Sequence, residues 1–255
     1  MDRWRFTLTH WLHGIRFYIA LSIVLVSVNV WWWAVSSFGG SSLFSIRLEE
    51  TYAWLAVGCL ALALSIGPLF GVFKRLPGRA VVYDSRRLLG IGAAWFSSLH
   101  IAVAYLSLFK LANPFSLPGD YRRSFLIGGL AWVILLAMAF TSFNAAMRYL
   151  GPWWFRLHRL VYVAVGLAVL HAFTIGTHAS RVPVVISLAV ISIFILGLHF
   201  YAIVKQGKPA TNWQLASIST MAALLMIIFS YGYDHHRQYQ VGPDSPQGGN
   251  SAKAY

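Results

Sequence analysis

The sequence is poor in cysteine and in charged residues, and each scarcity excludes a class of protein. Cys59 is the only cysteine among 255 residues, so the chain cannot form an intramolecular disulfide. Only 11% of the residues are charged, whereas 58% are hydrophobic and 16% are aromatic. A chain of this composition would not stay soluble as an ordinary globular domain. We therefore expect a membrane protein.

Seven apolar segments are long enough to cross the hydrocarbon core of a bilayer, which requires about 20 residues of helix. Lipid offers no hydrogen-bond partners to open backbone groups, and the segments are too long for barrel strands. The sequence predicts an all-α, polytopic membrane helix bundle of about seven transmembrane helices, the first of them retained rather than cleaved as a signal peptide. The predicted spans are Ile15–Val35, Tyr52–Phe73, Leu88–Phe109, Phe125–Phe143, Leu160–Gly176, Val184–Val204 and Trp213–Tyr233.

No linker rich in proline, glycine or serine divides these spans, and no internal repeat is evident. We expect one bundle over residues 1–210, an additional transmembrane helix over 211–234 and a polar tail over 235–255. The tail has no apolar periodicity. With a cytoplasmic N-terminus, the seventh helix would place this tail outside the cell membrane.

Acidic residues are scarce as well, since seven Asp and Glu stand against 20 Lys and Arg. A net charge of +13 can indicate nucleic-acid binding. Here, however, the basic residues concentrate in the loops that the topology places in the cytoplasm, as is usual for membrane proteins. With the N-terminus in the cytoplasm, 13 basic residues lie inside and seven outside. This distribution predicts a multi-pass membrane protein with a cytoplasmic N-terminus and no nucleic-acid partner.

Two histidines lie deep inside apolar segments of different helices, which makes both of them candidates for a functional site. If the third helix starts at the cytoplasmic side near Leu88, His100 lies 12 residues, or about 18 Å, along it. If the fifth helix runs outward from near His158, His171 lies 13 residues, or about 20 Å, along that helix. The two imidazoles are thus predicted at one depth, in the outer half of the bilayer.

The simplest group that two neutral imidazoles at one depth could bind between them is a heme iron. Ligation from both sides leaves no open coordination position, so such a site would transfer electrons rather than bind substrate. Cys59 has no CxxCH context, so the heme would be held non-covalently, as heme b. The sequence therefore favours a transmembrane electron conduit. A lone buried histidine, by contrast, could be a structural hydrogen-bond partner between helices.

A second and less complete group of polar residues is predicted at the cytoplasmic end. Arg86 and Arg87 precede His100 by 14 and 13 residues, so Arg86 and His100 share roughly one helix face. Arginine is not an ordinary iron ligand, but it pairs well with heme propionates or a flavin phosphate. His158 lies at the same end. His199, 16 residues into the sixth helix, is either its partner or an interfacial histidine.

Two runs of the sequence carry a family resemblance. They are SRRLLGIGAAWFSSLHIAVAYLSLF and LAWVILLAMAFTSFNAAMRYLGPWWFRLHRLVYVAVGLAVLHAF. With their separation, they resemble the ferric reductase-like transmembrane domain over residues 86–175. The resemblance is to the MsrQ/YedZ branch, the heme-binding membrane subunit of the bacterial periplasmic methionine sulfoxide reductase system. The resemblance implies that His100 and His171 hold an outer b-type heme and that His158 belongs to an inner metal site. It also implies that Arg86 and Arg87 replace the inner histidine of the broader NADPH oxidase and ferric reductase group.

The resemblance further implies an electron-transfer subunit of an oxidoreductase, passing electrons from a cytoplasmic-side donor to an extracytoplasmic acceptor or partner reductase. No nicotinamide or flavin domain follows the bundle, so the donor would be a separate flavin reductase, a bound FMN or a quinol. The family usually has six helices, and a seventh helix suggests docking in a larger membrane complex. The alternative is a non-catalytic scaffold subunit that retains the heme-binding fold. A transporter is least favoured, because none of the seven predicted spans contains Asp or Glu.

Overall fold

The computed structural model describes residues 2–73, 75, 79–111, 113–117, 119–175, 190, 193–198, 200, 201 and 203–205. Within these ranges all regular structure is helical, which confirms the all-α prediction. Up to residue 175, a π-helix at Ala104–Leu108 and a short 3-10 turn at Pro114–Ser116 accompany seven α-helices. These are α1 (Asp2–Phe38), α2 (Leu43–Val72), α3 (Arg79–Val103), α4 (Gly119–Phe140), α5 (Asn144–Leu150), α6 (Pro152–His158) and α7 (Val161–Ile175).

Five stretches of this described part are long and apolar enough to cross a membrane, so the chain is a multi-pass membrane protein. They are Phe17–Phe38, Leu43–Val72, Ser85–Ser107, Tyr121–Phe140 and Pro152–Ala172.

The sixth predicted span is only partly represented in the described residues, and the seventh is not represented. The sixth corresponds to a shorter apolar helix, Ile193–Lys205. The seventh span, Trp213–Tyr233, the polar tail and His199 lie outside the described residues.

The second helix begins nine residues earlier than predicted, at Leu43 instead of Tyr52. The reason is a continuous buried face, since Leu48 and Tyr52, four residues apart, are 3% and 4% exposed. Glu49 and Glu50 therefore lie in the first two turns of a membrane-spanning helix. The prediction that no apolar span contains an acidic residue was wrong.

The third and fifth predicted spans also differ from the structure at the ends where they begin. α3 begins at Arg79, so Arg86 and Arg87 lie within the helix rather than before it. The fifth span is preceded by two short helices, α5 and α6, joined at Gly151. Gly151 has a φ of 50° and a ψ of −123°, a backbone conformation that favours glycine.

Helix α3 is the centre of the bundle, because it contacts α1, α2 and α4 while α4 in turn packs on α7. Small side chains allow this close packing. Ala93 of α3 and Ala164 of α7 are each 0% exposed and belong to one apolar cluster. A second cluster joins the ends of α1, α2 and α3 around Tyr52 and Phe96, whose rings stack.

Hydrogen bonds between side chains on neighbouring helices fix the rotation of α3. Trp132 Nε1 on α4 donates to Ser98 Oγ on α3 over 2.9 Å, and Trp95 Nε1 on α3 donates to Ser27 Oγ on α1 over 2.9 Å. Ser98 is two residues from His100. The bond from Trp132 therefore links the orientation of α4 to the segment of α3 that carries this histidine.

The Trp132–Ser98 bond should stabilise the bundle measurably. A double-mutant cycle of Trp132→Phe and Ser98→Ala is expected to give a coupling energy of about 0.6 kcal/mol, the average for such bonds in membrane proteins. The measurement is reversible unfolding in mixed micelles. Trp32→Phe is the control, since Trp32 is 66% exposed and should lose little stability. A coupling energy indistinguishable from zero would show that the bond does not hold α3 and α4 together.

Candidate metal centre between helices α3 and α7

His100 and His171 face each other inside the bundle. His100 lies in the last turn of α3, and His171 lies near the end of α7. Their ring centroids are 6.0 Å apart, and the ring planes are inclined by 83°. A metal–imidazole bond is about 2 Å and the centroid lies about 1 Å behind the nitrogen, so two ligands of one metal have centroids about 6 Å apart. The pair is thus spaced as a bis-histidine site requires.

The imidazole of His171 is oriented by Ser124, a fully buried residue in the second turn of α4. His171 Nδ1 lies 2.9 Å from the Ser124 carbonyl oxygen and 3.0 Å from Ser124 Oγ. Thr174 Oγ1 donates to Ser124 Oγ over 2.9 Å. A carbonyl oxygen can only accept, which assigns the ring proton of His171 to Nδ1 and leaves Nε2 with a lone pair.

Gly128 gives the His171 ring the space it occupies against α4. A Cβ at this position would lie 2.6 Å from His171 Nδ1 and 2.8 Å from Cε1, closer than real side chains come. At the neighbouring Gly129, a Cβ would meet nothing within 4 Å. The absence of a side chain at Gly128 therefore lets the imidazole reach the backbone carbonyl of Ser124, about one turn earlier in α4.

The imidazole of His100 is oriented by Glu49 of α2. His100 Nδ1 lies 3.2 Å from the Glu49 carbonyl oxygen and 3.3 Å from the carboxylate oxygen Oε1. The acceptor-only carbonyl again assigns the proton to Nδ1 and leaves Nε2 with a lone pair. We call the group of Glu49, His100, Ser124 and His171 the histidine end of the bundle.

Sequence reasoning missed both orienting residues. Glu49 and Ser124 precede the predicted second and fourth spans, which begin at Tyr52 and Phe125. The sequence offered one signal for Glu49. Apolar residues precede it, so the second span can be extended back to Leu43, and Glu49 then lies about 9 Å along a helix that packs on α3.

The donor set at the histidine end fits a heme iron. In both rings the nitrogen that is not bound to metal would donate to a protein oxygen, as metal-ligating histidines almost always do. Among the described residues, no cluster of three or more His, Cys, Asp or Glu could hold a metal ion. Two protein ligands suit an iron whose other four ligands come from a macrocycle.

At the opposite end, Arg87 joins α3 to the connection after α4. Its Nη1 donates to Asn144 Oδ1 over 2.8 Å and reaches the Ser142 carbonyl oxygen at 3.4 Å. The neighbouring Arg86 extends in another direction, toward α2, where its Nη1 lies 3.7 Å from the position that a Cβ on Gly67 would take. The two arginines thus contact different helices.

His158 lies near Arg87, because both side chains approach Ser142. His158 Nε2 is 3.4 Å from Ser142 Oγ, and His158 Nδ1 donates to the Trp154 carbonyl oxygen over 3.0 Å. The imidazole also stacks on the indole of Trp154, with centroids 3.9 Å apart and planes inclined by 27°. We call the group of Arg86, Arg87, Ser142 and His158 the arginine end.

The comparisons with known proteins agree with this architecture. The family model of the ferric reductase-like transmembrane component matches residues 52–169. The match contains His100 and the residues of the arginine end, whereas Glu49 precedes it and His171 follows it. No solved structure matches the chain.

Curated relatives include the protein-methionine-sulfoxide reductase heme-binding subunit MsrQ of Xanthomonas euvesicatoria, which is 34% identical over 61% of this chain and 69% of its own length. The subunit of the same name from Bordetella pertussis is 34% identical over 55% of this chain and 67% of its own length. The magnetosome protein MamZ of Magnetospirillum gryphiswaldense is 33% identical over 56% of this chain but only 21% of its own length. These similarities, together with the paired histidines, show that the chain belongs to the ferric reductase-like transmembrane family.

Proposed function

We propose that this protein is a b-type heme-binding membrane subunit that passes electrons from a cytoplasmic-side flavin or quinol donor to an extracytoplasmic acceptor or partner reductase. The observation that carries the proposal is the 6.0 Å spacing of His100 and His171. The curated relatives named as heme-binding subunits support it. When bound, a heme ligated by two histidines supplies a one-electron carrier that is closed to substrate.

The residues of the histidine end would hold and orient the group. His100 and His171 would bind iron through Nε2, because Nδ1 is committed to the carbonyl oxygens of Glu49 and Ser124. These hydrogen bonds fix the tautomer and the direction of each ring. The surrounding apolar helices exclude water, which also tunes the reduction potential of a bound heme.

The arginine end would take the electron donor. Guanidinium groups bind phosphates and carboxylates strongly, so Arg86 and Arg87 suit the phosphate of FMN or the propionates of a second heme. The stacked rings of Trp154 and His158 present an aromatic surface beside them. A quinone is the other candidate donor at this end. His199 remains a candidate second ligand for iron at His158.

The orientation of the protein follows from its charges. We propose that the arginine end faces the cytoplasm of a bacterial inner membrane, with the N-terminus on the same side, because basic residues concentrate there. The histidine end then faces outward. A methionine sulfoxide reductase is the first candidate for the extracytoplasmic partner, since the MsrQ relatives are named as subunits of one. The predicted seventh helix and polar tail are candidates for contacts with this partner or a larger complex.

Replacing either histidine of the pair should abolish the bis-histidine spectrum. His100→Ala and His171→Ala each remove one of the two residues that would bind the iron, so the purified variants should lose the low-spin signal in reduced-minus-oxidised absorption while remaining in the membrane fraction. Trp32→Phe, at an exposed position of α1, is the control and should retain the signal. A normal low-spin spectrum in the His100 or His171 variant would refute the assignment.

Gly128→Ala should disturb the same site without touching a ligand. The added methyl group would overlap the His171 ring, and relieving such overlap typically costs about 1–3 kcal/mol in a packed core. We expect heme occupancy of the purified variant to fall several-fold, measured as heme absorbance per chain. Gly129→Ala adds the same methyl group in open space and should bind heme normally. Equal occupancy in the two variants would contradict the proposed position of His171.

Electron transfer itself separates this function from the scaffold alternative. In inverted membrane vesicles, a flavin or quinol donor at the arginine end should reduce the wild-type protein, and an oxidant enclosed in the vesicle should reoxidise it. A scaffold that merely retains heme would show neither reaction at a useful rate.

A further inference from the structure

We infer that Glu49 is a positioning residue whose carboxylate acts through His100 and makes the two candidate heme ligands, His100 and His171, electronically unequal. The inference rests on the proposed ligation by His100 and His171. It concerns a residue that lies before the segment matched by the family model.

The contacts of the two imidazoles differ in charge. His100 Nδ1 lies 3.3 Å from the Glu49 carboxylate oxygen Oε1 as well as 3.2 Å from the Glu49 carbonyl oxygen. His171 Nδ1 contacts two uncharged oxygens of Ser124, the carbonyl oxygen and Oγ. One ring therefore has a carboxylate oxygen beside its N–H group, in addition to the carbonyl oxygen that accepts the hydrogen bond, whereas the other ring contacts uncharged oxygens in the described part of the chain.

The carboxylate is sheltered from water. The side chains of Glu49 and His100 are only 19% and 16% exposed, and both lie in membrane-spanning helices. Electrostatic and hydrogen-bond interactions are stronger in such surroundings than in water. The neighbouring Glu50 is directed elsewhere, since its Oε2 accepts from Arg47 Nη1 over 3.2 Å. Glu49 is thus the acidic side chain aimed at the imidazole.

The chemical consequence follows from the position of the negative charge. A carboxylate oxygen 3.3 Å from Nδ1 polarises the N–H group that already donates to the Glu49 carbonyl oxygen, which makes Nε2 a stronger donor to a metal. A stronger donor stabilises the more positively charged, oxidised iron, so the reduction potential is lowered. Glu49 would therefore favour electron release from the histidine end to an acceptor.

The test compares Glu49→Gln with Glu50→Gln in the full-length, heme-loaded protein. Glutamine at position 49 keeps the shape and a neutral acceptor oxygen, while glutamine at position 50 removes the same charge one residue away from the contact. We expect the Glu49 variant to have a raised midpoint potential and altered electron paramagnetic resonance g-values, which report axial ligand strength. The Glu50 variant should keep the wild-type g-values and shift its potential less.

Two results would overturn the inference. Wild-type g-values and potential in Glu49→Gln would show that the carboxylate does not act on His100. An equal change in both variants would show a general charge effect instead of a local action of the Glu49 carboxylate on His100.

A second measurement works in the wild-type protein and does not depend on the stability of a variant. Residues 49 and 50 are the only glutamates in the chain, so isotopically labelled glutamate reports on these two side chains alone. We expect a labelled carboxyl band in the infrared difference spectrum between oxidised and reduced protein, retained in Glu50→Gln. Absence of this band would refute the inference, whereas absence of low-spin heme from the wild-type protein would refute the proposed function itself.

Discussion

A histidine inside a membrane needs an acceptor for the proton on its ring, and this requirement organises the histidine end of the bundle. Both acceptors are backbone carbonyls near the beginning of a helix, Glu49 on α2 and Ser124 on α4. Each carbonyl directs one imidazole. Four helices must therefore keep their relative depth and rotation for His100 and His171 to stay 6.0 Å apart.

The packing of the bundle helps to keep His100 and His171 at this spacing. Ala93 and Ala164 allow close contact between backbones, and Gly128 lets an imidazole rest against α4. The bond from Trp132 to Ser98 ties α4 to α3 two residues from a candidate ligand. The same interactions that stabilise the fold thus position the donor atoms, which a rigid electron-transfer site requires.

The two ends of the bundle have complementary chemistry. The arginine end offers positive charge and stacked aromatic rings, which suit an anionic, planar donor. The histidine end offers two neutral imidazoles in apolar surroundings, one of them beside a carboxylate. His100 follows Arg86 by 14 residues along α3, a distance of about 21 Å in a straight helix. This distance covers most of a hydrocarbon core of about 30 Å.

Much of this arrangement could be predicted from the sequence. The parts that could not be predicted were missed for physical reasons. The depths of His100 and His171 follow from the constant rise of a helix, and the membrane class follows from composition. The start of α2 was misplaced because a mixed segment, SLFSIRLEE, becomes helical through the burial of Leu48 against neighbouring helices.

Glu49 and Ser124 escaped prediction for a related reason. Which side chain faces an imidazole depends on helix tilt and rotation, which packing sets and a single sequence does not reveal. The role of Gly128 depends on a ring from α7 that is 43 residues away along the chain. Its sequence context, one glycine in a Gly-Gly pair, does not distinguish it from Gly129.

The most direct test of the central claim is the heme content of the purified wild-type protein. The protein should be expressed with ample heme, isolated in mild detergent and analysed by pyridine hemochrome quantitation with a reduced-minus-oxidised spectrum. The account predicts at least one heme b per chain with the low-spin spectrum of bis-histidine ligation. Protein that is folded in the membrane yet carries no heme would contradict it.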